Sequence, residues 1–323
     1  MAELLIELYS EEIPAGLQET SVNTFKTLLI KSFLEAGLSF NNSEIFWSPM
    51  RLTVCVEGLA LKSSDTEVNK RGPRVDANEM AINGFAKGLG VAVKELSKIE
   101  TDKGNFYFYR NTKKGITASV IIEESIKNII LNFPWKKSMR WGTNNLKWIR
   151  PLHKIVCVFD EKPIIFNIEN IYSGNKTYGH RFVSPKEIIV KNKKEYVQLL
   201  LDSNVIIDPI VRQETILSCG NELAKKHSLV FKPEKFLLEE VSNIIEYPYL
   251  FIGKFDKEYL SLPAPILELT MIKQQKYFPL YNVDKTLSKN FLAVSNIPVD
   301  NNSQIISGNE RVLKARLSDA RFF

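Results

Sequence analysis

The sequence is poor in histidine and cysteine, with three of each among 323 residues. His153, His180 and His227 lie far apart, and none has the spacing of paired metal ligands, so we predict no metal site. Cys55 and Cys157 lie inside apolar runs and are typical of small buried side chains. An odd set of widely spaced cysteines argues against a disulfide framework, and we expect a cytoplasmic protein.

Motifs for nucleotide binding and covalent catalysis are also missing. The chain has no Gly-x-x-x-x-Gly-Lys-Ser/Thr loop, no Gly-x-Gly-x-x-Gly and no Gly-x-Ser-x-Gly. The nearest approach, Gly84–Gly90, does not open a helix after a strand. No apolar run approaches the ~20 residues of a membrane span, and no cationic leader precedes an apolar run at the start. We therefore predict no catalytic residue, no bound cofactor and no membrane association in this chain.

What remains is an ordinary globular composition with a mild positive charge. The chain is 44% hydrophobic and 25% charged, with a net charge of +6. Such a charge suits an anionic partner such as nucleic acid, although lysine-rich proteins also occur without one. The length predicts about two domains.

The order of apolar patterns predicts an α+β fold in which mixed sheets carry flanking helices. Three regions are expected: a strand–helix–strand–strand unit at 1–62, a central α+β region at 63–303, and a closing helix at 304–323.

Four segments carry specific expectations. Polar residues over Lys62–Val75 indicate a loop, and Glu79–Leu89 has helical periodicity despite two glycines. Asn105–Arg110 is aromatic at successive positions, which predicts a strand covered on both faces. Asp208 before Pro209 predicts the start of a helix that reaches Lys226.

The final stretch from Gly308 predicts a helix with Leu313 and Leu317 on its apolar face. Arg316 falls in the same sector, so we expect its guanidinium to find a carboxylate or carbonyl partner. Phe322 falls on the polar side, and the chain stops at Phe323. Two terminal aromatic residues on a cationic helix indicate the front part of a longer protein.

Short blocks that place a cation beside an aromatic residue are the strongest chemical feature. They are Met139–Gly142, Trp148–His153, Tyr178–Phe182 and Lys273–Pro279. Arginine binds phosphate or stacks on a base, and a ring offers a stacking surface, so the pattern suits nucleic acid. Alternatively the rings belong to the core and the cations pair with carboxylates. Because Arg140, Arg150, His180 and Arg181 end successive predicted strands, we expect them to converge in one cationic cleft.

Ten blocks run in order from one end of the chain to the other. They are Leu4–Pro14, Lys70–Pro73, Gly84–Ala86, Met139–Gly142, Ile149–His153, Tyr178–Phe182, Glu246–Pro248, Gln275–Pro279, Val294–Ile297 and Gly308–Val312. This ordered set resembles the beta subunit of bacterial heterotetrameric glycyl-tRNA synthetase, and the resemblance covers the whole chain.

The resemblance implies a division of labour between two kinds of subunit. In that family the alpha subunit holds the class II active site with glycine, ATP and Mg²⁺, so no cofactor is expected in this chain. Its partners would be the alpha subunit, in an α2β2 tetramer, and tRNA(Gly). The front part of such a beta subunit resembles the B3/B4 module of the phenylalanyl-tRNA synthetase beta subunit. An HD-like domain and an anticodon-binding domain would follow.

We therefore expect a non-catalytic, tRNA-binding fragment of a glycine–tRNA ligase. One alternative is a structural hub for alpha–beta assembly, with tRNA binding in the part that follows. A further alternative is a hydrolytic editing module, although small glycine makes editing less necessary. The candidate tRNA contacts are Arg140, Arg150, His180, Arg181, Lys273, Lys276 and Arg311.

Overall fold

The computed structural model describes residues 2–101, 104–300 and 304–322. The helices are α1 Ala15–Glu35, α2 Glu79–Leu89, α3 Ala118–Leu131, α4 Lys193–Asp202, α5 Pro209–Lys226, α6 Lys235–Ser242, α7 Ala264–Leu269 and α8 Gln304–Phe322. The strands are β1 Ala2–Ser10, β2 Asn42–Ser48, β3 Arg51–Leu59, β4 Thr66–Arg74, β5 Ser97–Thr101, β6 Gly104–Lys113, β7 Leu152–Phe159, β8 Lys162–Pro163, β9 Asn167–Ile168, β10 Ile171–Gly174, β11 Lys176–Tyr178, β12 Glu187–Ile189, β13 Val230–Phe231, β14 Tyr249–Lys254, β15 Phe278–Tyr281 and β16 Leu287–Ser295. The α+β class predicted from the sequence is confirmed.

The largest sheet has the strand order β2-β3-β1-β7-β10-β9, with β8 paired to β7. β1 lies at its centre and runs antiparallel to both neighbours, so Ile6 pairs with Val54 on one side and Cys157 on the other. The division predicted after residue 62 therefore cuts through one sheet. Periodicity identifies β1 and β7 as strands but says nothing about a partner more than 140 residues away.

Successive side chains of β1 point to opposite faces of this sheet, and helices pack on both faces. Leu4, Ile6 and Leu8 are buried in one cluster with side chains of α1 and α3. Leu5 points the other way, into a cluster with side chains of α4. Glu7 lies on this second face, which makes it a charged residue inside a core strand.

A second core forms around the sheet β13-β15-β16-β14. Side chains of α5 and α6 pack with Phe278 on one face, and α7 and α8 pack with Phe291 on the other. Leu313 and Leu317 are fully buried there, as predicted. The closing helix thus belongs to the second core.

The prediction for Arg316 is wrong. Its side chain is exposed, and within the described parts of the chain its guanidinium has no ion pair or hydrogen bond. Lys314 has the partner instead, with its Nζ 2.7 Å from Asp256 Oδ2. Among the described residues of α8 only Leu313 and Leu317 are buried, so Arg316 lies outside the packed part of the helix and its charge stays in water. Phe322 is 87% exposed, and Phe323 lies outside the described residues.

A third, small sheet of order β4-β6-β5 is inserted between β3 and α3. The loop predicted over Lys62–Val75 is wrong, because Thr66–Arg74 is a strand paired with β6. It is an edge strand with mostly exposed polar side chains, so it lacks the apolar alternation that identifies strands. α2 has the predicted bounds and packs against β4. Phe106 and Phe108 remain only half-buried, which contradicts cover on both faces.

Candidate nucleic-acid interface

A fully buried ionic cluster joins the two larger cores. Arg51 Nε lies 3.2 Å from Glu7 Oε2, and Arg51 Nη1 bonds Glu246 Oε1. Glu7 also accepts hydrogen bonds from Thr177 Oγ1 at 2.5 Å and from Tyr196 OH at 2.6 Å. Arg51 and Glu7 belong to the first sheet, whereas Glu246 lies just before β14. The cluster therefore fixes the second core against the first.

Burial and charge act against each other in this cluster. Burial raises the pKa of Glu7, while Arg51 and the hydrogen bonds from Thr177 and Tyr196 oppose that rise. Burial also disfavours the charged form of Arg51, but Glu246 and Glu7 raise its pKa above the ordinary value. One guanidinium thus stays charged between two carboxylates. Among the described residues, no group of three or more histidine, cysteine, aspartate or glutamate side chains could hold a metal ion.

The cluster also positions the turn that follows β11. Arg51 Nη2 donates to Tyr178 O. His180 is fully buried beyond that point, and its Nδ1 accepts from the backbone N–H groups of Phe182 at 3.3 Å and Val183 at 3.2 Å. This imidazole closes the turn and does not reach the surface. The His180 side chain, which we predicted to contact tRNA, is therefore not exposed at the surface of this chain.

An isolated antiparallel β-bridge joins the two segments that carry Arg140 and Arg150. Met139 pairs with Trp148, so the segments that carry Arg140 and Arg150 lie side by side. Both arginine side chains are exposed. The backbone N–H of Glu11 donates to Pro151 O at 2.9 Å. This hydrogen bond connects the segment that carries Arg150 to the end of β1.

Arg181 joins the same edge through carboxylates. Its Nη1 lies 3.5 Å from Glu11 Oε2 and 3.3 Å from Glu12 Oε1. His153 Nε2 lies 3.0 Å from Glu11 Oε1. Because Glu11 and Glu12 balance Arg181 and His180 is buried, the edge is not the uniformly cationic cleft that we predicted. Phe182 is 65% exposed, and the Arg181 guanidinium lies 4.9 Å from the centroid of its ring.

Lys273 and Lys276 lie elsewhere, beside α6. Lys273 Nζ is 4.5 Å from the centroid of the Phe236 ring, and Lys276 Nζ is 2.8 Å from Glu240 Oε1. Phe236 and Glu240 line a groove of about 520 Å³ between α1, α5 and α6. Glu240 already neutralises Lys276, so this pair of lysines offers less positive charge than its sequence implies.

Arg311 lies in a cleft of about 460 Å³ between α8 and the ends of β14 and β16, which we call the α8 cleft. The charged residues lining it are Lys254, Lys257, Lys289, Arg311 and Lys314, with Asp256 and Glu310. Five cations therefore face two carboxylates. Glu310 Oε1 accepts from the backbone N–H of Lys254 at 2.9 Å, and Asp256 pairs with Lys314. Sequence reasoning identified only Arg311, because the other cations come from separate segments.

The fold and this surface define a mixed α/β protein with two linked cores and a basic cleft suited to an anionic partner. A family model described as "Glycyl-tRNA synthetase beta subunit" matches residues 4–323. The chain belongs to this family, which confirms the resemblance carried by the ten blocks.

Curated relatives agree with this assignment. The chain is 38% identical over 328 residues to the glycine–tRNA ligase beta subunit of Paracoccus denitrificans, covering 100% of this chain and 48% of that protein. It is also 38% identical to that of Ruegeria sp., with the same coverage. For Rhodospirillum centenum the identity is 36% over 349 residues, with 100% and 49% coverage. The chain thus spans about half the length of these relatives. No helix in its described part is long and apolar enough to span a lipid bilayer.

Proposed function

We propose that this chain serves glycyl-tRNA synthesis as the front part of a beta subunit that contacts tRNA phosphates through the α8 cleft. The observation that carries the proposal is the excess of five cations over two carboxylates in that cleft. Lysine and arginine that neutralise phosphates release counterions, which favours binding. The exposed Arg140 and Arg150 supply a second basic region, beside the bridge between Met139 and Trp148.

A salt titration tests the phosphate contacts. We would measure tRNA binding to the purified protein between 50 and 200 mM salt, on the order of the range where such contacts change affinity most. Lys289→Gln and Arg311→Gln should each weaken binding and make the slope of log K against log salt shallower by about 1. Lys31→Gln is the matched control, because this lysine is exposed on the outer surface of α1, a helix that packs on the first sheet and not near the α8 cleft.

Two results decide this point. Equal slopes for wild type and both cleft variants would refute the α8 cleft as a phosphate site. In that case the protein would act as a hub for alpha–beta assembly, with tRNA affinity in the part that follows this chain. A slope lowered equally by Lys31→Gln would show general charge attraction without a defined site.

We further propose that the sites for glycine, ATP and Mg²⁺ belong to the alpha subunit of an α2β2 assembly, and that this chain is non-catalytic. The family name itself, a beta subunit, supports a partner of another kind. The purified chain alone should give no glycine-dependent ATP–pyrophosphate exchange, and exchange should appear when the alpha subunit is added. Exchange by this chain alone would refute the division of labour. We also propose that part of this chain forms a module like the B3/B4 module of the phenylalanyl-tRNA synthetase beta subunit.

A further inference from the structure

Two motifs that the sequence placed apart become neighbours in the small sheet. The Lys70–Arg74 segment forms the end of β4, and the aromatic Asn105–Arg110 segment forms most of β6. The two strands are antiparallel, and Arg71 lies directly opposite Phe108. On the other side of β6, Ile99 of β5 lies opposite Phe106.

Strand alternation divides these residues between two faces of the sheet. Phe106, Phe108 and Arg110 point to one face, and Arg71 shares it because directly paired residues lie on the same side. We call these four residues the phenylalanine–arginine face. The Arg71 guanidinium lies 4.9 Å from the Phe106 ring centroid, and that of Arg110 lies 5.8 Å from the Phe108 centroid. These contacts confirm the shared face.

Helix α2 packs against the opposite face of the sheet at β4. Gly72 and Pro73 lie opposite Tyr107 at a bulge in β4, which places them on the Tyr107 side of the sheet. Phe85 of α2 packs against Gly72 so closely that an added Cβ would lie 2.4 Å from its ring. The side chains of the phenylalanine–arginine face are therefore left half-buried or exposed.

We propose that the phenylalanine–arginine face binds unpaired nucleotides of the tRNA, with bases stacked on Phe106 and Phe108 and phosphates bound by Arg71 and Arg110. This inference rests on the proposed function, since it names a second surface for the same RNA. Phe106 and Phe108 are spaced two residues apart on one face, about 7 Å by strand geometry. Two rings at that spacing suit two successive bases that are separated from one another.

The chemistry favours single-stranded RNA over other occupants. Paired bases stack on each other and present only their edges, whereas unpaired bases expose the faces that an aromatic ring needs. An apolar protein surface would bury the two guanidinium groups without a compensating charge. A nucleotide satisfies both parts of the face, because its base meets the ring and its phosphate meets the arginine. Arg74 pairs directly with Phe106 and so lies on the same side of the sheet, but its Nε is 3.2 Å from Asp76 Oδ1, which makes it a cation that is already partly paired.

Binding of a labelled single-stranded RNA dodecamer of mixed sequence to the full chain in complex with its alpha subunit tests the proposal. The double variant Phe106→Leu, Phe108→Leu keeps apolar volume but removes both stacking surfaces. We expect its affinity to fall by at least fivefold, the lower end for loss of one stacked base. The double variant Phe106→Tyr, Phe108→Tyr keeps both rings and should remain within about twofold of wild type on the same grounds. Thermal melts of both variants check that the sheet is intact.

The same RNA annealed to its complement is the control for phosphate attraction. Weak duplex binding that neither double variant changes supports stacking on these rings. Equal affinity of wild type and the leucine variant for the single strand would overturn the proposal. So would a loss caused by Arg71→Gln and Arg110→Gln that the leucine variant does not share, since phosphate contacts alone would then explain binding.

A second readout separates this inference from the proposed function. If the wild-type complex binds tRNA and the leucine variant binds RNA with the same affinity, the inference is refuted and the proposed function is retained. Failure of the wild-type complex to bind tRNA, with ring-dependent binding of the dodecamer, refutes the function and retains the face as a single-stranded RNA site. Photocrosslinking of 4-thiouridine RNA should label a peptide from β6, and labels confined to other strands count against the face.

Discussion

Replacing Arg51 by methionine tests whether the buried ionic cluster holds the two cores together. Methionine keeps part of the stem but removes the charge, the ion pair with Glu7, and the hydrogen bonds to Glu246 and Tyr178 O. Both carboxylates would remain buried without a cation. Removing one partner of a buried ion pair typically costs about 3–5 kcal/mol. Because small proteins have a total stability of about 5–15 kcal/mol, this loss should be easily measured.

The pH dependence of the loss distinguishes charge from packing. Burial already raises the pKa of Glu7, and Arg51 lowers it, so without Arg51 this pKa should rise further above its ordinary value of 4.5. A carboxyl group with a raised pKa favours the folded state below the unfolded pKa and loses that contribution as the pH rises. The stability gap between Arg51→Met and wild type should therefore narrow as the pH is lowered from 7 towards about 4.5.

Urea unfolding followed by tryptophan fluorescence and circular dichroism would measure the gap. Arg316→Met is the matched control, since Arg316 is exposed and the change should stay within about 0.5 kcal/mol. Adding Glu7→Gln and Glu246→Gln to Arg51→Met should recover part of the loss, because the buried charges are then absent. A loss below about 1 kcal/mol for Arg51→Met, or one independent of pH, would refute the reasoning.

Two further comparisons use matched positions: two glycines that lie in helices, and two cations on α8. Gly220→Ala should destabilise the protein by about 1–3 kcal/mol, because the new Cβ would lie 2.5 Å from a phenylalanine ring. Gly308→Ala should stabilise it by about 0.5–1 kcal/mol, since nothing lies within 4 Å of that Cβ and alanine favours a helix. The urea concentration at the unfolding midpoint should fall for Gly220→Ala and rise for Gly308→Ala, and shifts in the same direction would contradict the packing argument. Lys314→Ala should lower the melting temperature more than Arg316→Ala at low salt, because only Lys314 has an ion-pair partner in the described chain. The difference should shrink in 1 M salt, on the order of concentrations that screen exposed charges, and a persistent difference would point to another cause.

Local pattern was enough for many elements of the fold. The helix Glu79–Leu89 has the bounds predicted from periodicity. Asp208 caps the helix that begins at Pro209, with its Oδ1 accepting from Ile210 N at 2.8 Å. Leu313 and Leu317 are buried as their spacing requires. Each of these features depends on residues within about one or two turns of each other, so the sequence contains the whole cause.

The candidate site was predicted less completely. The sequence located Arg140, Arg150 and Arg181 at neighbouring edges, but it did not reveal that Glu11 and Glu12 pair with Arg181. It also did not reveal that His180 is buried in a turn, where its imidazole accepts two backbone N–H bonds, because the surrounding sequence would be the same for an exposed histidine. The α8 cleft was missed for a related reason, because its lysines come from separate segments that only the packing of α8 brings together.

The sequence by itself therefore determined the family, the α+β class and most helices and strands, because periodicity, capping and ordered motifs act over short distances. Tertiary structure alone decided that β1 pairs with β7, that Arg51 lies between Glu7 and Glu246, and that Arg71 shares a face with Phe108. A charged residue in a strand can point to water or into the core, and its own alternation does not distinguish the two. The choice depends on strands and helices far away in the chain, which supply the countercharge and the burial.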